Sequence, residues 1–151
     1  MIYSKTCEYA VRALAYLALK QKGGFTSCAQ VSEETGVPGP YITKIFQCLV
    51  QQGILISRSG VNGGVAFLKD PEDLRLMDIV KAIDDLDPLS ECLMGLDTCN
   101  ENNGCPLHAI WKKAKAELIL KLENTTLYEI NAGEAKDQYR NLKRSKLKKV
   151  V

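Results

Sequence analysis

A chain of 151 residues with 46% hydrophobic and 25% charged side chains has the make-up of one ordinary globular domain, or a small domain with an extension. No apolar run is long enough for a membrane helix, and the N-terminus lacks a signal peptide's basic start and small-residue cleavage site, so the chain reads as cytoplasmic. The net charge of +2 says little about partners, while the lone histidine has no Ser or Asp placed for a recognisable triad and no phosphate-binding glycine motif is present, so nothing marks an enzyme.

Residues 3–20 read as an amphipathic helix, with Tyr3, Cys7, Ala10, Leu14, Leu17 and Ala18 on one face and Ser4 as N-cap. Gly23 and Gly24 end it. Ser27, with Gln30 at capping-box spacing, starts a second helix that Gly36 breaks. The tight turn Val37-Pro-Gly-Pro40 then feeds a third helix running to about Gln52. Ile42, Ile45, Phe46 and Leu49 form its inner face, and Tyr41, Thr43, Lys44, Gln47 and Gln51 lie largely on the other. Two short helices joined by a glycine-containing turn make a helix-turn-helix. The outward face of the second carries hydrogen-bonding and cationic groups and no carboxylate, which suits a helix entering the DNA major groove. An ordinary helical hairpin is the alternative, because fold alone does not fix function.

The next stretch favours DNA. Ile54 to Ile56 and Val65 to Leu68 are short strands around a glycine-rich turn in which Asn62-Gly63 is a hairpin signal. Helix, turn, helix and hairpin in that order form a winged helix. Gly63 and Gly64 allow the wing backbone to approach a phosphate, and Arg58 is placed for a phosphate or the minor groove.

Leu76, Ile79, Val80 and Ile83 outline a further helix, ended by Asp84, Asp85, Asp87 and Pro88. A loop rich in Gly and Asn follows, in which Cys92, Cys99, Cys105 and His108 are spaced C-x6-C-x5-C-x2-H. Beyond it a long helix, roughly Pro106 to Glu123, carries the stripe Leu107, Ile110, Trp111, Ala114, Leu118 and Leu122. Packing against the same helix of a second copy is the economical way to bury that stripe; packing on its own domain is the other. From Lys136 onward there are seven Lys or Arg and one Asp, a basic tail suited to nonspecific DNA attraction.

In a cytosolic chain, clustered cysteines point to metal or redox chemistry more than to disulfides. A loop of soft ligands entering a helix suits a thiophilic metal or an iron–sulfur cluster. The wide spacing ranks zinc lower, since structural zinc sites usually take close C-x2-C pairs. Cys105, just before Pro106, is expected to cap the long helix and set its thiolate against the unpaired N–H groups, with His108 one turn along. Cys7, Cys28 and Cys48 sit among apolar helix residues and read as small buried hydrophobes.

Four pieces in order carry a resemblance: Tyr-Ala-Val-Arg-Ala-Leu in the first helix, Tyr41-Ile-Thr-Lys-Ile-Phe46 in the third, the glycine-rich wing, and the loop ending Cys105-Pro-Leu-His108. Over about residues 1–130 the chain resembles the IscR/NsrR family of iron–sulfur winged-helix transcription regulators, of the Rrf-two type. The resemblance implies a mainly α fold with a small β-hairpin wing. It divides the chain into a winged helix-turn-helix domain (1–84), a cluster-binding loop (85–105), a dimerisation helix (106–130) and a basic flexible tail (131–151). It further implies a homodimer on double-stranded operator DNA and a 2Fe-2S or 4Fe-4S cluster on Cys92, Cys99 and Cys105. The fourth ligand is either His108 or Glu8 of the partner subunit. The C-x6-C spacing is one residue longer than the IscR-like pattern, which leaves the cluster type open. The DNA contacts expected are Tyr41, Thr43, Lys44, Arg58, Gly63 and Gly64. Two other readings stand beside this one: a metal-free regulator whose thiols form disulfides, and, in another class, an iron–sulfur electron carrier or redox enzyme.

Overall fold

Alanines at 10, 13 and 15 alternate with Cys7, Leu14 and Leu17 in the first helix, and all six are buried. Small side chains on several sides of one helix let neighbours approach it from several directions. In the computed structural model, which describes residues 3–20, 24–84, 92–95, 102 and 105–132, this helix is the centre of the fold. It is α1 (Lys5–Lys20), and α2 (Cys28–Thr35), α3 (Gly39–Gln51), α4 (Leu76–Asp84) and α6 (Leu127–Ala132) all pack on it. The remaining elements are strands β1 (Leu55–Arg58) and β2 (Gly64–Phe67), a 3-10 turn at Pro71–Asp73, and the long helix α5 (His108–Asn124). The fold is mainly α with a two-stranded wing.

The caps form as the sequence predicts. The Ser4 hydroxyl accepts the Cys7 N–H at 3.0 Å, and the Ser27 hydroxyl accepts that of Gln30 at 3.2 Å. Gly36 ends α2 in the left-handed region at φ 68°, which glycine adopts without strain. Pro40 lies in the first turn of α3, where its missing N–H costs nothing. Ile42, Ile45, Phe46 and Leu49 are buried, and Tyr41, Thr43, Lys44, Gln47 and Gln51 are exposed.

The hairpin differs from expectation. Its strands are displaced by a residue or two, pairing Leu55 with Phe67 and Arg58 with Gly64. The loop over residues 59–63 falls within the expected glycine-rich turn and is closed by the Gly63 N–H on the Gly60 carbonyl at 2.9 Å. The cause lies outside the hairpin. Thr26 forms a bridge on the free edge of β2, exchanging two 2.9 Å hydrogen bonds with Val65. That bridge fixes where β2 begins. It also brings the Thr26 backbone so close that a Cβ on Gly64 would lie 2.2 Å from the Thr26 carbonyl oxygen. A Cβ on Gly63 would lie 2.3 Å from the Arg58 carbonyl oxygen. The first duty of both glycines is thus to admit the chain's own backbone.

Met77, Ile79 and Val80 are the buried residues of α4; Met77 joins the expected stripe because α4 is packed by α1, α3 and α5. The C-terminal end of α5 is stitched to the segment before α4. Leu76 N–H donates to Thr125 O at 3.0 Å, Leu127 N–H to Leu74 O at 2.8 Å, and Arg75 Nη1 to Glu123 O at 2.9 Å. Helix α6 then returns to α1, where buried Asn131 donates to the Ala15 carbonyl at 3.1 Å. Of the stripe expected on α5, Leu118 and Leu122 reach the core, joined by Ile119, whereas Ile110 stays 69% exposed and Leu107 and Ala114 are exposed as well. Residues 85–91 and the basic tail from 133 lie outside the described residues.

Gly64→Ala is expected to cost about 2–4 kcal/mol, from overpacking plus a φ of 141° that an L-residue resists. Equilibrium urea unfolding measures it, and a change within error of zero would contradict the close approach to Thr26.

Candidate functional site

Two groups of residues carry chemistry, one on the face of α3 and the wing, the other where α4 leaves off and α5 begins. On α3 the exposed side chains include Tyr41, Thr43, Lys44, Gln47 and Gln51, with no acidic residue along the helix. Thr43 turns its hydroxyl back to donate to the Gly39 carbonyl at 3.2 Å. The Tyr41 ring meets the Tyr9 ring edge-on at 5.5 Å, so the start of α3 rests on α1. Tyr9 in turn lies under two cations, Lys5 Nζ at 5.4 Å and Arg12 Cζ at 5.6 Å from its centroid. In the wing, exposed Arg58 donates from Nη2 to the Asn62 carbonyl at 2.8 Å. Tyr41, Thr43, Lys44 and Arg58 all present exposed surface, while Gly63 and Gly64 are half-buried where the wing loop enters β2.

At the second group, Cys92 begins a short turn closed by the Gly95 N–H on the Cys92 carbonyl at 3.0 Å, with Gly95 left-handed at φ 69°. Cys105 begins another, closed by His108 N–H at 3.1 Å. Both cysteines are half-buried and neither is in a disulfide, and His108 is half-buried too. Cys99 lies outside the described residues, and among those described no three His, Cys, Asp or Glu side chains converge on one point. One expectation is corrected: Cys105 does not cap α5. The cap is Leu107, with no side-chain bond, and His108 is the first helical residue. The turn over 105–108 takes up the positions that Pro106 would otherwise start as helix.

Glu8 holds Lys5 Nζ at 2.6 Å and the buried Arg12 guanidinium at 2.8 Å. A ligand role for this carboxylate has to share or displace those contacts. One turn away, Asp84 at the end of α4 accepts the Ser4 N–H at 2.6 Å and the Ser4 hydroxyl. A carboxylate suits the positive N-terminus of α1 that it caps. Fully buried Cys7 lies in the same region; burial first, and the Asp84 charge second, push its thiol up from 9.0 to about 12. Cys7 is thereby held as a neutral thiol, as expected of a buried hydrophobe. Cys28 and Cys48 are only half-buried, and Cys48 Sγ donates to the Ala82 carbonyl at 3.1 Å. The sequence reading missed the contacts of Asp84 with Ser4 and of Tyr9 with Tyr41, which join residues far apart in the chain, whereas the Glu8–Arg12 pair follows the i,i+4 spacing of a helix.

A helix-turn-helix followed by a hairpin wing, with an acid-free outer helix face, defines a winged-helix DNA-binding protein. The family model described as Rrf2, iron-dependent transcriptional regulator, matches residues 3–133, and the chain belongs to that family. It is 31% identical over 128 residues to the HTH-type transcriptional regulator NsrR of Shouchella clausii, covering 84% of this chain and 86% of that one. With the HTH-type transcriptional regulator IscR of Escherichia coli O1:K1 / APEC the identity is 30% over 123 residues, covering 82% and 75%. The solved structure of CymR, the global cysteine regulator of B. subtilis, shares the fold at a TM-score of 0.71 and 21% identity, covering 85% of this chain and 95% of that one. The chain is thus a transcription regulator and not an enzyme, and no described helix is long and apolar enough to cross a membrane.

Mass-mapped alkylation of the native, metal-free protein with iodoacetamide near pH 8 is expected to label Cys92 and Cys105 well before Cys7. Labelling of Cys7 at a comparable rate would contradict its burial.

Proposed function

We propose that this regulator acts as a homodimer whose operator affinity is set by an iron–sulfur cluster on Cys92, Cys99 and Cys105. The fourth ligand is His108 or Glu8 of the partner subunit. The observation that carries the reading is the placement of unbridged, half-buried Cys92 and Cys105 on hydrogen-bonded turns, the second leading directly into α5 at His108. As a donor set, thiolates with one imidazole or carboxylate fit iron better than they fit a hard cation. Bound there, such a cluster supplies a cross-link that redox change, nitric oxide or iron supply can break. The chain's own part is mechanical. The loop leaves α4 right after Asp84, which clasps the N-terminus of α1. Ordering the loop therefore bears on α1, and through Tyr9 and Tyr41 on the recognition helix.

The similarity to regulators named IscR and NsrR supports this reading. The open face of α5, with Ile110 and Leu107 exposed, supports a second copy as its partner. Tyr41, Thr43 and Lys44 face the major groove, and Arg58 with Gly63 and Gly64 the backbone or minor groove.

A second reading has support in the shared fold with a cysteine regulator. Without metal, two thiols give two protons and two electrons to hydrogen peroxide, forming one S–S bond and two water molecules as the O–O bond breaks.

Anaerobic purification followed by absorbance, EPR and iron and sulfide counts separates the two. The wild type is expected coloured, with iron and acid-labile sulfide, and whichever of His108→Ala and Glu8→Ala removes the fourth ligand is expected to lose or alter the signal. Operator affinity is expected to differ about tenfold between holo and apo protein. A colourless, iron-free protein, or equal affinity at matched salt, sinks the cluster reading. Separately, Arg58→Ala is expected to weaken binding across sequences and lower the salt slope by about 1; a loss confined to one base position would contradict a backbone anchor.

A further inference from the structure

Arg58 closes β1, and its guanidinium is held from two directions. Nη2 donates to the Asn62 carbonyl across the wing loop at 2.8 Å, and Cζ stands 4.2 Å from the centroid of the Phe25 ring. That is the shortest cation–ring distance among the described residues. Among them no carboxylate pairs with Arg58, and the side chain is exposed. Phe25 itself is half-buried and firmly placed. It precedes Thr26, which is fastened to Val65 of β2 by two 2.9 Å hydrogen bonds, so the ring sits at the outer edge of the wing. The two contacts remove rotamer freedom that a long arginine side chain would otherwise lose on meeting DNA. Among the described residues its other N–H groups make no hydrogen bond.

We propose that Phe25 is a positioning residue for Arg58: its ring face presets the guanidinium of the wing for contact with DNA. The proposal rests on the reading of Arg58 as a DNA contact. The interaction needs a π face, so an apolar side chain of similar bulk does not replace it. Lysine at 58 is likewise no substitute, because its ammonium lacks the planar fork that stacks on the ring and reaches Asn62 together.

The test uses the full chain in one fixed cluster state and a duplex selected by the wild type from a random-sequence pool. Phe25→Leu is expected to weaken binding about 3- to 10-fold, with Phe25→Tyr close to wild type. In the Arg58→Ala background Phe25→Leu is expected to change nothing further. In the DNA-free protein, the Arg58 Nε–H signal is expected to become more mobile on the nanosecond scale in Phe25→Leu and to stay rigid in Phe25→Tyr. An equal loss from Phe25→Leu with and without Arg58, or an Arg58 signal unmoved by Phe25→Leu, overturns the proposal. Should Arg58→Ala bind as tightly as wild type, the DNA role of Arg58 fails and the proposal with it; the Nε–H signal still reports separately whether the ring holds the guanidinium. If Phe25→Leu unfolds more readily than wild type, Phe25→Tyr against Phe25→His decides, since both keep a ring and only tyrosine keeps an uncharged benzenoid face at low pH: equal binding by the two at pH 5.5 overturns the proposal.

Discussion

The rest of the structure depends on the burial of α1. Cys7, Ala10, Ala13, Leu14, Ala15 and Leu17 leave it little apolar surface facing water, and four other helices lean on it. At about 25 cal/mol per Å2, covering such a helix is the chief favourable term available to a domain of this size. It also means that anything which shifts α1 shifts its neighbours, because close-packed interiors transmit strain. Both ends of the helix are fixed by polar contacts from far along the chain: Asp84 on Ser4 at one end, Asn131 on Ala15 toward the other.

Those contacts join the DNA face to the thiol loop. Asp84 is the last residue of α4, and the cysteine loop begins just past it. Little more than two turns from the Ser4 clasp lie Glu8, Tyr9 and Arg12, linked by an ion pair and a ring contact, and Tyr9 touches Tyr41 of the recognition helix. The same carboxylate, Glu8, therefore has a structural role within its own chain whether or not it meets a metal in another. Buried Arg12 depends on it, since a guanidinium out of water needs a counter-charge.

How much of this is visible in the sequence follows from the range of each interaction. Ser27 with Gln30, Pro40, and the Ile42–Ile45–Phe46–Leu49 stripe act within one helix, and spacing alone reveals them. The wing is legible in kind but not in register, because Thr26, far from the hairpin in sequence, sets where β2 begins. Pro106 looks like a helix start, yet the turn from Cys105 to His108 delays α5. The partners Ser4 and Asp84 lie 80 positions apart, and no periodicity connects them. Phe25 stood in a short link between Gly24 and Thr26 with no pattern around it, so its cation contact needed three dimensions to be seen. The cysteine set was legible by residue type and order alone, since a Gly/Asn-rich loop has no period to fix its geometry and Cys99 falls outside the described residues.

Among the described residues, helix α5 meets the apolar core through its C-terminal half. Its last turns are bound to the core through Leu118, Ile119 and Leu122 and through the backbone bonds around Thr125, while His108 stands at the far end. Seventeen residues of α-helix span about 25 Å. On a rigid helix of that length, a tilt of about 10° about residue 122 would carry the His108 end through about 4 Å.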